Sequence, residues 1–236
     1  IKTQKKVLTF SLIEHWAKTF HPPITDEEWA NYYTNDKEYQ NFFQTCFQNC
    51  ESWCQSNQYK LNKIDIIECL FNNVMSLFNF KKFLSLSGNL EEKDSKNRQA
   101  ITKILEKGTI DFIPMANQLI GENIETKLKP IIKILKNVDL TDQPLIKIDL
   151  FLQAQSMLFN LLQFVGVSEV GADQLEPCLF LLYSMTNLPH LESTIQYITH
   201  FTLPLKTFAS FSLQSFDRMK SSILGFLQLI NEKSKD

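Results

Sequence analysis

The sequence contains little glycine and no glycine-rich loop of the kind that holds nucleotide phosphates. Only 6 of its 236 residues are Gly, whereas 19 are Phe. Tight backbone turns are therefore scarce, and the many Phe side chains favour large apolar contacts between helices. Because nucleotide phosphates are commonly held by such a loop, we expect this chain not to bind a nucleotide itself.

Strong net charge and long apolar runs are also missing. The formal net charge of −2 at pH 7 provides no basic surface for nucleic acid. No apolar run approaches the roughly 20 residues that a membrane-spanning helix requires. The five Cys are odd in number and lack the spacing of a small disulfide scaffold, which favours a reducing, cytoplasmic setting.

The sequence shows no motif for a metal site or for covalent catalysis. Cys46, Cys50 and Cys54 repeat at helical spacing among aromatic residues, which favours core packing over zinc binding. No serine or cysteine lies in a nucleophile elbow, and no histidines form an HExxH-type pair. The four histidines are His15, His21, His190 and His200. We interpret them as structural, and we expect no metal and no cofactor.

Apolar residues recur at helical spacing along the chain and nowhere alternate with a period of two, which predicts an all-α fold. The N-terminal part is predicted to form a helical bundle with an aromatic seam. Its helices are predicted at about residues 5–20, from about residue 25, at about 36–56 and from about 62 onward. We expect this bundle, residues 1–87, to pack on a second helical domain, residues 88–236. A boundary near residue 62 is the alternative.

The second domain is predicted to consist of several helices with two loops near its start. Residues 88–97 are polar and charged, which predicts a surface loop, and residues 109–114 predict another. Helices are predicted at about residues 98–107, 122–137, 143–164, 192–201 and 212–233, in addition to the helix described below.

Four lysines lie along the helix predicted at residues 122–137, namely Lys127, Lys129, Lys133 and Lys136. A helix of this kind either touches an anionic membrane or presents a solvated face. Because the lysines are spaced rather than clustered, we interpret this helix as having a solvated face.

Residues 165–201 have the most distinctive pattern. Asp173 and Glu176 have the spacing of a helix N-cap and its capping-box partner. Pro177 is then expected in the first helical turn, where its missing N–H costs least. The next six residues are apolar, which predicts a helix that is buried on all sides and ends at Asn187. An acidic side chain is thereby placed at the exposed end of a buried helix.

The same stretch resembles the core of the vacuolar-protein-sorting-nine (Vps-nine) domain in three motifs. They are Gly171-Ala172-Asp173-x-Leu175-x-Pro177, Asn187-x-Pro189-x-Leu191-x-Ser193 and Ile195-Gln196-Tyr197-Ile198-Thr199-x-Phe201. Weaker similarity extends the resemblance over about residues 62–232. The part before that resembles the helical bundle that often precedes this domain.

Proteins of that family are guanine-nucleotide exchange factors for Rab-five-type endosomal GTPases. The resemblance implies that this chain promotes GDP release from a GTPase of that subfamily. It would then be a regulatory exchange factor and not an enzyme that makes or breaks covalent bonds. The resemblance also implies a cytoplasmic protein recruited to endosomal membranes in vesicle trafficking, with any peripheral attachment supplied by regions outside this chain.

The resemblance implies roles for four residues. Asp173 stands at the position of the family's acidic finger, the carboxylate that is pushed toward the nucleotide site of the GTPase. Pro177, Phe211 and Gln214 stand at positions that contribute to GTPase binding.

Three departures from the family pattern leave alternatives open. Gln174 replaces a second acid, Glu176 replaces an apolar residue, and Phe211 replaces a tyrosine whose hydroxyl helps to grip the GTPase. One alternative is an exchange-inactive module that binds GTPases or other partners. Another is a general helical adaptor whose similarity is coincidental, and an exposed Asp173 at the mouth of an apolar groove would distinguish either GTPase-related function from it.

Overall fold

The computed structural model describes residues 26–57, 66–67, 70–71, 74–75, 78–107, 112–208 and 211–234. Every regular element in these ranges is a helix and none is a strand, so the prediction of an all-α fold is confirmed. The helices are α1 (Asp26–Thr34), α2 (Asp36–Ser56), α3 (Phe80–Leu86), α4 (Leu90–Lys107), α5 (Phe112–Ile120), α6 (Ile124–Lys136), α7 (Pro144–Phe164), α8 (Ala172–Thr186), α9 (Leu191–Thr202) and α10 (Phe211–Lys233). Short 3-10 helices span Asn137–Leu140 and Leu203–Phe208.

Most predicted helices are present with nearly the predicted bounds. The structure gives α2 the predicted range, and α6, α7, α9 and α10 begin and end within about two residues of the predictions. Residues 66–67, 70–71 and 74–75 are helical, as predicted for the segment after residue 62. The helix predicted at residues 5–20 lies outside the described residues.

Two predicted loops are wrong. Residues 90–97 belong to α4, in which Leu90, Asp94 and Asn97 are buried against other helices while the other polar side chains of this range are exposed. Residues 112–114 belong to α5, in which Pro114 is the third residue. A proline there lacks an N–H that would have no intrahelical partner in any case.

The contacts divide the chain into two compact units. One consists of residues 1–88 together with 142–144 and 199–210, and the other of residues 89–141, 145–198 and 211–236. The last four residues of α9 and the 3-10 helix that follows them thus belong to the first unit. The division of the chain into domains at residues 1–87 and 88–236 stays a prediction.

An aromatic cluster forms the described core of the first unit. Phe201 is fully buried, and its ring centre lies 4.9 Å from that of Tyr39, 4.9 Å from that of Phe78 and 5.7 Å from that of Tyr33. The Tyr39 hydroxyl donates to the Phe201 carbonyl oxygen at 3.2 Å. Burial accordingly raises the pKa of Tyr39. The predicted aromatic seam is therefore completed by a residue from the far end of the chain.

His200 has a structural role in the same unit. Its Nδ1 contacts the Asp36 carboxylate, and its Nε2 lies 2.7 Å from the carbonyl oxygen of Tyr32. The His200 ring thereby links the end of α9 to α1 and α2. Cys46, Cys50 and Cys54 are buried in α2, which confirms their prediction as core residues.

Helix α8 is the centre of the second unit. It packs against α4, α5, α6 and α10. Eight of its fifteen residues are buried, including Cys178 and Leu182 at 0% exposure, so the prediction of a helix enclosed by its neighbours is confirmed. Burial also raises the pKa of the Cys178 thiol to about 11.

A buried polar network joins α4 to the beginning of α9. The Asp94 carboxylate accepts the backbone N–H of Glu192 at 2.9 Å and contacts both the N–H and the hydroxyl of Ser193. It therefore satisfies donors at the N-terminus of α9 that have no intrahelical partner. Beside it, Asn97 donates to the Glu192 carboxylate at 2.9 Å and accepts from the Asn231 amide at 2.7 Å.

Helix α7 is long and apolar enough to cross a membrane by length and composition alone, contrary to the expectation from the sequence. A core helix of a soluble protein passes the same test. The buried residues of α7 repeat every three or four positions, as in a helix with one face in a core. They include Lys147, whose Nζ donates to the Val138 carbonyl oxygen at 2.6 Å and lies 6.0 Å from the centre of the Tyr197 ring.

We predict that residues 90–236 expressed alone do not form a soluble, cooperatively folded protein. Removing residues 1–89 strips the aromatic partners from Phe201 and leaves this buried ring in water. Expression and a thermal melt of the fragment check this, with the full chain as the control. A soluble fragment with a single sharp transition would contradict it.

We also predict a pH-dependent difference in stability between the wild type and Asp94→Asn. Burial raises the pKa of Asp94 above its ordinary 3.8, so the folded protein holds a proton that the unfolded chain releases. The free energy of unfolding therefore falls as the pH rises from about 4 through the pKa of the folded state. Asp94→Asn removes this fall. Urea unfolding at several pH values measures the difference, and Glu91→Gln, an exposed change on the same helix, is expected to leave the pH dependence unaltered.

Candidate functional site

The turn before α8 is fixed by the way in which α7 ends. Gly166 has a φ of +98°, the left-handed region that favours glycine, and its N–H donates to the Gln163 carbonyl oxygen at 3.1 Å. The N–H of Val167 donates to the Leu162 carbonyl oxygen at 3.0 Å. This pair of bonds is a Schellman motif, which ends α7 and turns the chain toward α8.

Helix α8 begins earlier than predicted. Gly171 is its N-cap, and the Gly171 N–H donates to the side-chain oxygen of Gln174 at 3.0 Å. The Leu175 N–H then donates to the Gly171 carbonyl oxygen at 3.0 Å. The prediction that Asp173 is the N-cap with Glu176 as its partner is therefore wrong, since Gln174 takes the capping role and Asp173 is the second helical residue.

Asp173 lies exposed in the first turn of α8. Glu176, three residues later on the same side of the helix, is also exposed. From Pro177 to Leu179 every residue is buried, so the carboxylates stand at the surface end of a helix that then enters the core. The positive end of the helix dipole favours negative charge at this place.

Pro177 occupies a different position from the predicted one. It is the sixth residue of α8 and is buried, whereas the sequence placed it in the first turn. Within an α-helix the N–H of residue 177 would bond to the carbonyl oxygen of residue 173, and proline has no N–H. The Asp173 carbonyl therefore has no intrahelical bond of that type.

The other two predicted site residues lie at the start of α10. Phe211 is its first residue, and the Phe211 side chain lies outside the described part of the structure. Gln214 is exposed one turn later, between the buried Leu213 and Phe216. The exposure of Gln214 leaves it accessible to a partner protein.

Helices α8 and α10 meet some distance from these residues. The ring centre of Phe226 lies 5.4 Å from that of Phe180 and 5.8 Å from that of Tyr183. At 1.5 Å per residue, Phe226 is roughly 18 Å along α10 from Gln214, and Phe180 is about 10 Å along α8 from Asp173. These ring contacts fix the pairing of the two helices but do not bring Gln214 to Asp173. A shared site made of Asp173, Pro177, Phe211 and Gln214 stays a prediction.

A cavity of about 630 Å³ lies at the opposite end of α8. Residues of α4, including Arg98 and Lys103, and the turn from Asn187 to His190 line it, and Asp173 is not among its lining residues. Within the described ranges, no three His, Cys, Asp or Glu side chains come together in a way that would hold a metal ion.

A protein-family match covers α8 and its neighbouring helices along the chain. Residues 128–224 match the family model described as the Vacuolar sorting protein 9 (VPS9) domain, which is the family named from the sequence motifs. This chain carries a VPS9 domain. The match covers α7 to α9, most of α6 and the first fourteen residues of α10, and so includes all four predicted site residues. None of the curated proteins compared with the chain matches it.

VPS9 domains are guanine-nucleotide exchange domains for Rab-five-type GTPases. At the level of the family, the partner is therefore a small GTPase of the Rab-five type. The match also rejects the interpretation of this chain as a general helical adaptor with a coincidental motif.

Asp94, which was not predicted from the sequence, fixes the chain just beyond the end of α8. Asn187, with a left-handed φ of 45°, ends the helix as predicted, and its N–H donates to the Tyr183 carbonyl oxygen at 2.9 Å. Asp94 then fixes the start of α9 four residues later. The burial of Asp94 could have been predicted from its position in the sequence, because Leu90, Asp94 and Ile101 share one face of a helix.

We predict that Phe211 contacts the GTPase from the protein surface. Phe211→Ala is then expected to weaken GTPase binding and to cost the VPS9 domain little stability. Phe211→Tyr restores the family's hydroxyl and is expected to raise exchange or leave it unchanged. Thermal melts test whether Phe211 lies at the surface. Phe216→Ala is the matched control, because Phe216 is a core residue of the same helix and is only 2% exposed. A buried Phe→Ala change costs about 3–5 kcal/mol, so a drop for Phe211→Ala as large as that of the control would place Phe211 in the core.

Proposed function

We propose that this chain accelerates GDP release from a GTPase of the Rab-five subfamily, with Asp173 as the acidic finger. The observation that carries the proposal is the exposed Asp173 in the first turn of the helix at the centre of the VPS9 match. The rest of that helix is held in the core, so a GTPase pressing on its tip meets a carboxylate on a rigid support.

The chemistry requires no covalent step. A GTPase holds GDP mainly through phosphate contacts, which include backbone N–H groups, a loop lysine and a magnesium ion. The Asp173 carboxylate, brought to that site, competes with the phosphates for the lysine and opposes the arrangement of the magnesium ion. It thereby stabilises the nucleotide-free GTPase. A factor that binds the empty form more tightly than the loaded form weakens nucleotide binding by linkage.

Two local features suit Asp173 for this role. Gln174 satisfies the N–H of Gly171, so the Asp173 carboxylate is not occupied as the helix cap. Glu176 adds a second exposed carboxylate at helical spacing, where the family has an apolar residue.

The second candidate is a VPS9 domain that binds GTPases without exchanging their nucleotide. The residue that favours it is Phe211, which lacks the hydroxyl of the family's tyrosine. A hydrogen bond of that kind contributes roughly 0.5–1.5 kcal/mol, so its loss alone weakens the grip on the GTPase without abolishing it. In either case we propose a cytoplasmic protein that acts at endosomal membranes, where its partner GTPases reside.

We predict that Asp173→Ala and Asp173→Asn abolish exchange while the melting temperature stays close to that of the parent. A carboxylate in the first turn contributes about 0.3–1 kcal/mol to its helix, which is small beside a total stability of about 5–15 kcal/mol. Release of fluorescent GDP from a panel of Rab-five-subfamily GTPases measures the activity.

Glu106→Gln is the matched control, because it removes an exposed carboxylate from α4 and is expected to keep exchange intact. Full exchange activity in both Asp173 variants would show that Asp173 is not the acidic finger. An inactive parent that still binds nucleotide-free GTPase would establish the second candidate.

A further inference from the structure

Three lysines form a row on the exposed face of α6. Lys129, Lys133 and Lys136 are all exposed, and their spacing of four and three residues places them on one side of the helix. The opposite side, with Leu128, Ile131 and Leu135, is buried. At 1.5 Å per residue, the row is about 10 Å long. We call these three residues the lysine row.

The fourth lysine of this helix does not belong to the row. The Lys127 Nζ donates to the Ile120 carbonyl oxygen at 2.8 Å and is half-buried. By contrast, no described acidic side chain forms an ion pair with the lysine row. The sequence alone suggested four lysines that are spaced rather than clustered, whereas the structure places three of them on one face.

An exposed apolar side chain follows the lysine row along the chain. Leu140 follows in the adjoining 3-10 helix and is 81% exposed. An apolar side chain beside basic residues is the pattern of surfaces that rest on a bilayer, where the apolar group enters the interface and the lysines remain among the headgroups.

We propose that the lysine row and Leu140 form a contact surface for an anionic lipid membrane. Charge complementarity supports this occupant, since the row carries three positive charges that no acidic side chain in the described part of the chain pairs. Lysine is a mobile, strongly hydrated point charge, which suits many diffusing lipid headgroups better than the fixed two-point geometry that arginine gives to a protein carboxylate. This surface is separate from Asp173, and the proposal does not depend on nucleotide exchange.

The expected affinity gain is measurable. A lysine near an anionic surface improves membrane partitioning about fivefold, so the three together are expected to contribute roughly 100-fold. Salt weakens the attraction because the Debye length shortens from about 10 Å at 0.1 M to 3 Å at 1 M. Leu140 adds an apolar contribution that salt does not screen.

Co-sedimentation of the whole chain with lipid vesicles tests the proposal. One set of vesicles is phosphatidylcholine alone, and the other contains about one-third phosphatidylserine. The variant Lys129→Gln/Lys133→Gln/Lys136→Gln removes the row with a residue of good helix propensity. The control Lys103→Gln/Lys107→Gln/Lys233→Gln makes the same charge change at exposed positions elsewhere. Leu140→Ser tests the apolar part.

We expect the parent chain to bind only the anionic vesicles and to bind them less well as the salt concentration rises. The row variant is expected to lose roughly 100-fold, the control to bind within about threefold of the parent, and Leu140→Ser to weaken binding at high and low salt alike. Equal binding to both vesicle types, or equal losses in the row variant and the control, would overturn it. So would a row variant that binds vesicles like the parent but no longer binds a GTPase, since the surface would then serve an acidic protein.

Discussion

The burial of α8 is the constraint on which the second unit depends. A helix can be enclosed by neighbours only if its polar groups find partners within it or at its ends. Ser184 and Thr186 meet this requirement by donating to the carbonyl oxygens four residues earlier, at 2.8 and 2.7 Å. Four helices then pack against α8, and its exposed residues lie at its N-terminal end, from Ala172 to Glu176. The enclosure of the helix therefore determines where a functional side chain can stand.

Periodicity predicted most of the fold because most helices have one apolar face. It failed at α4, where Asp94 and Asn97 occupy the inward positions between Leu90 and Ile101. Polar residues at such positions look like a solvated loop unless their partners are known. Those partners are Glu192 and Ser193, almost a hundred residues away, and no local pattern reveals them.

The candidate site was predictable in its residues but less so in its geometry. The motif around Asp173 carried the family resemblance, and the family match over residues 128–224 confirms the domain. The exact start of α8 was not predictable from the local pattern, because both Gly171 and Asp173 are residue types that commonly occupy the N-cap of a helix. Pro177 moved from the first turn to the second for the same reason.

Alkylation of the buried Cys178 thiol can report the motion of α8. Cys178 is fully buried one position after Pro177, and a buried thiol with a pKa of about 11 does not react with alkylating reagents while the helix stays in place. Its labelling rate therefore measures how often α8 leaves the core, as hydrogen exchange does for an amide. A bound GTPase that loosens or tightens the helix would change the alkylation rate of Cys178. This thiol, five residues after Asp173, therefore reports directly on how binding affects α8.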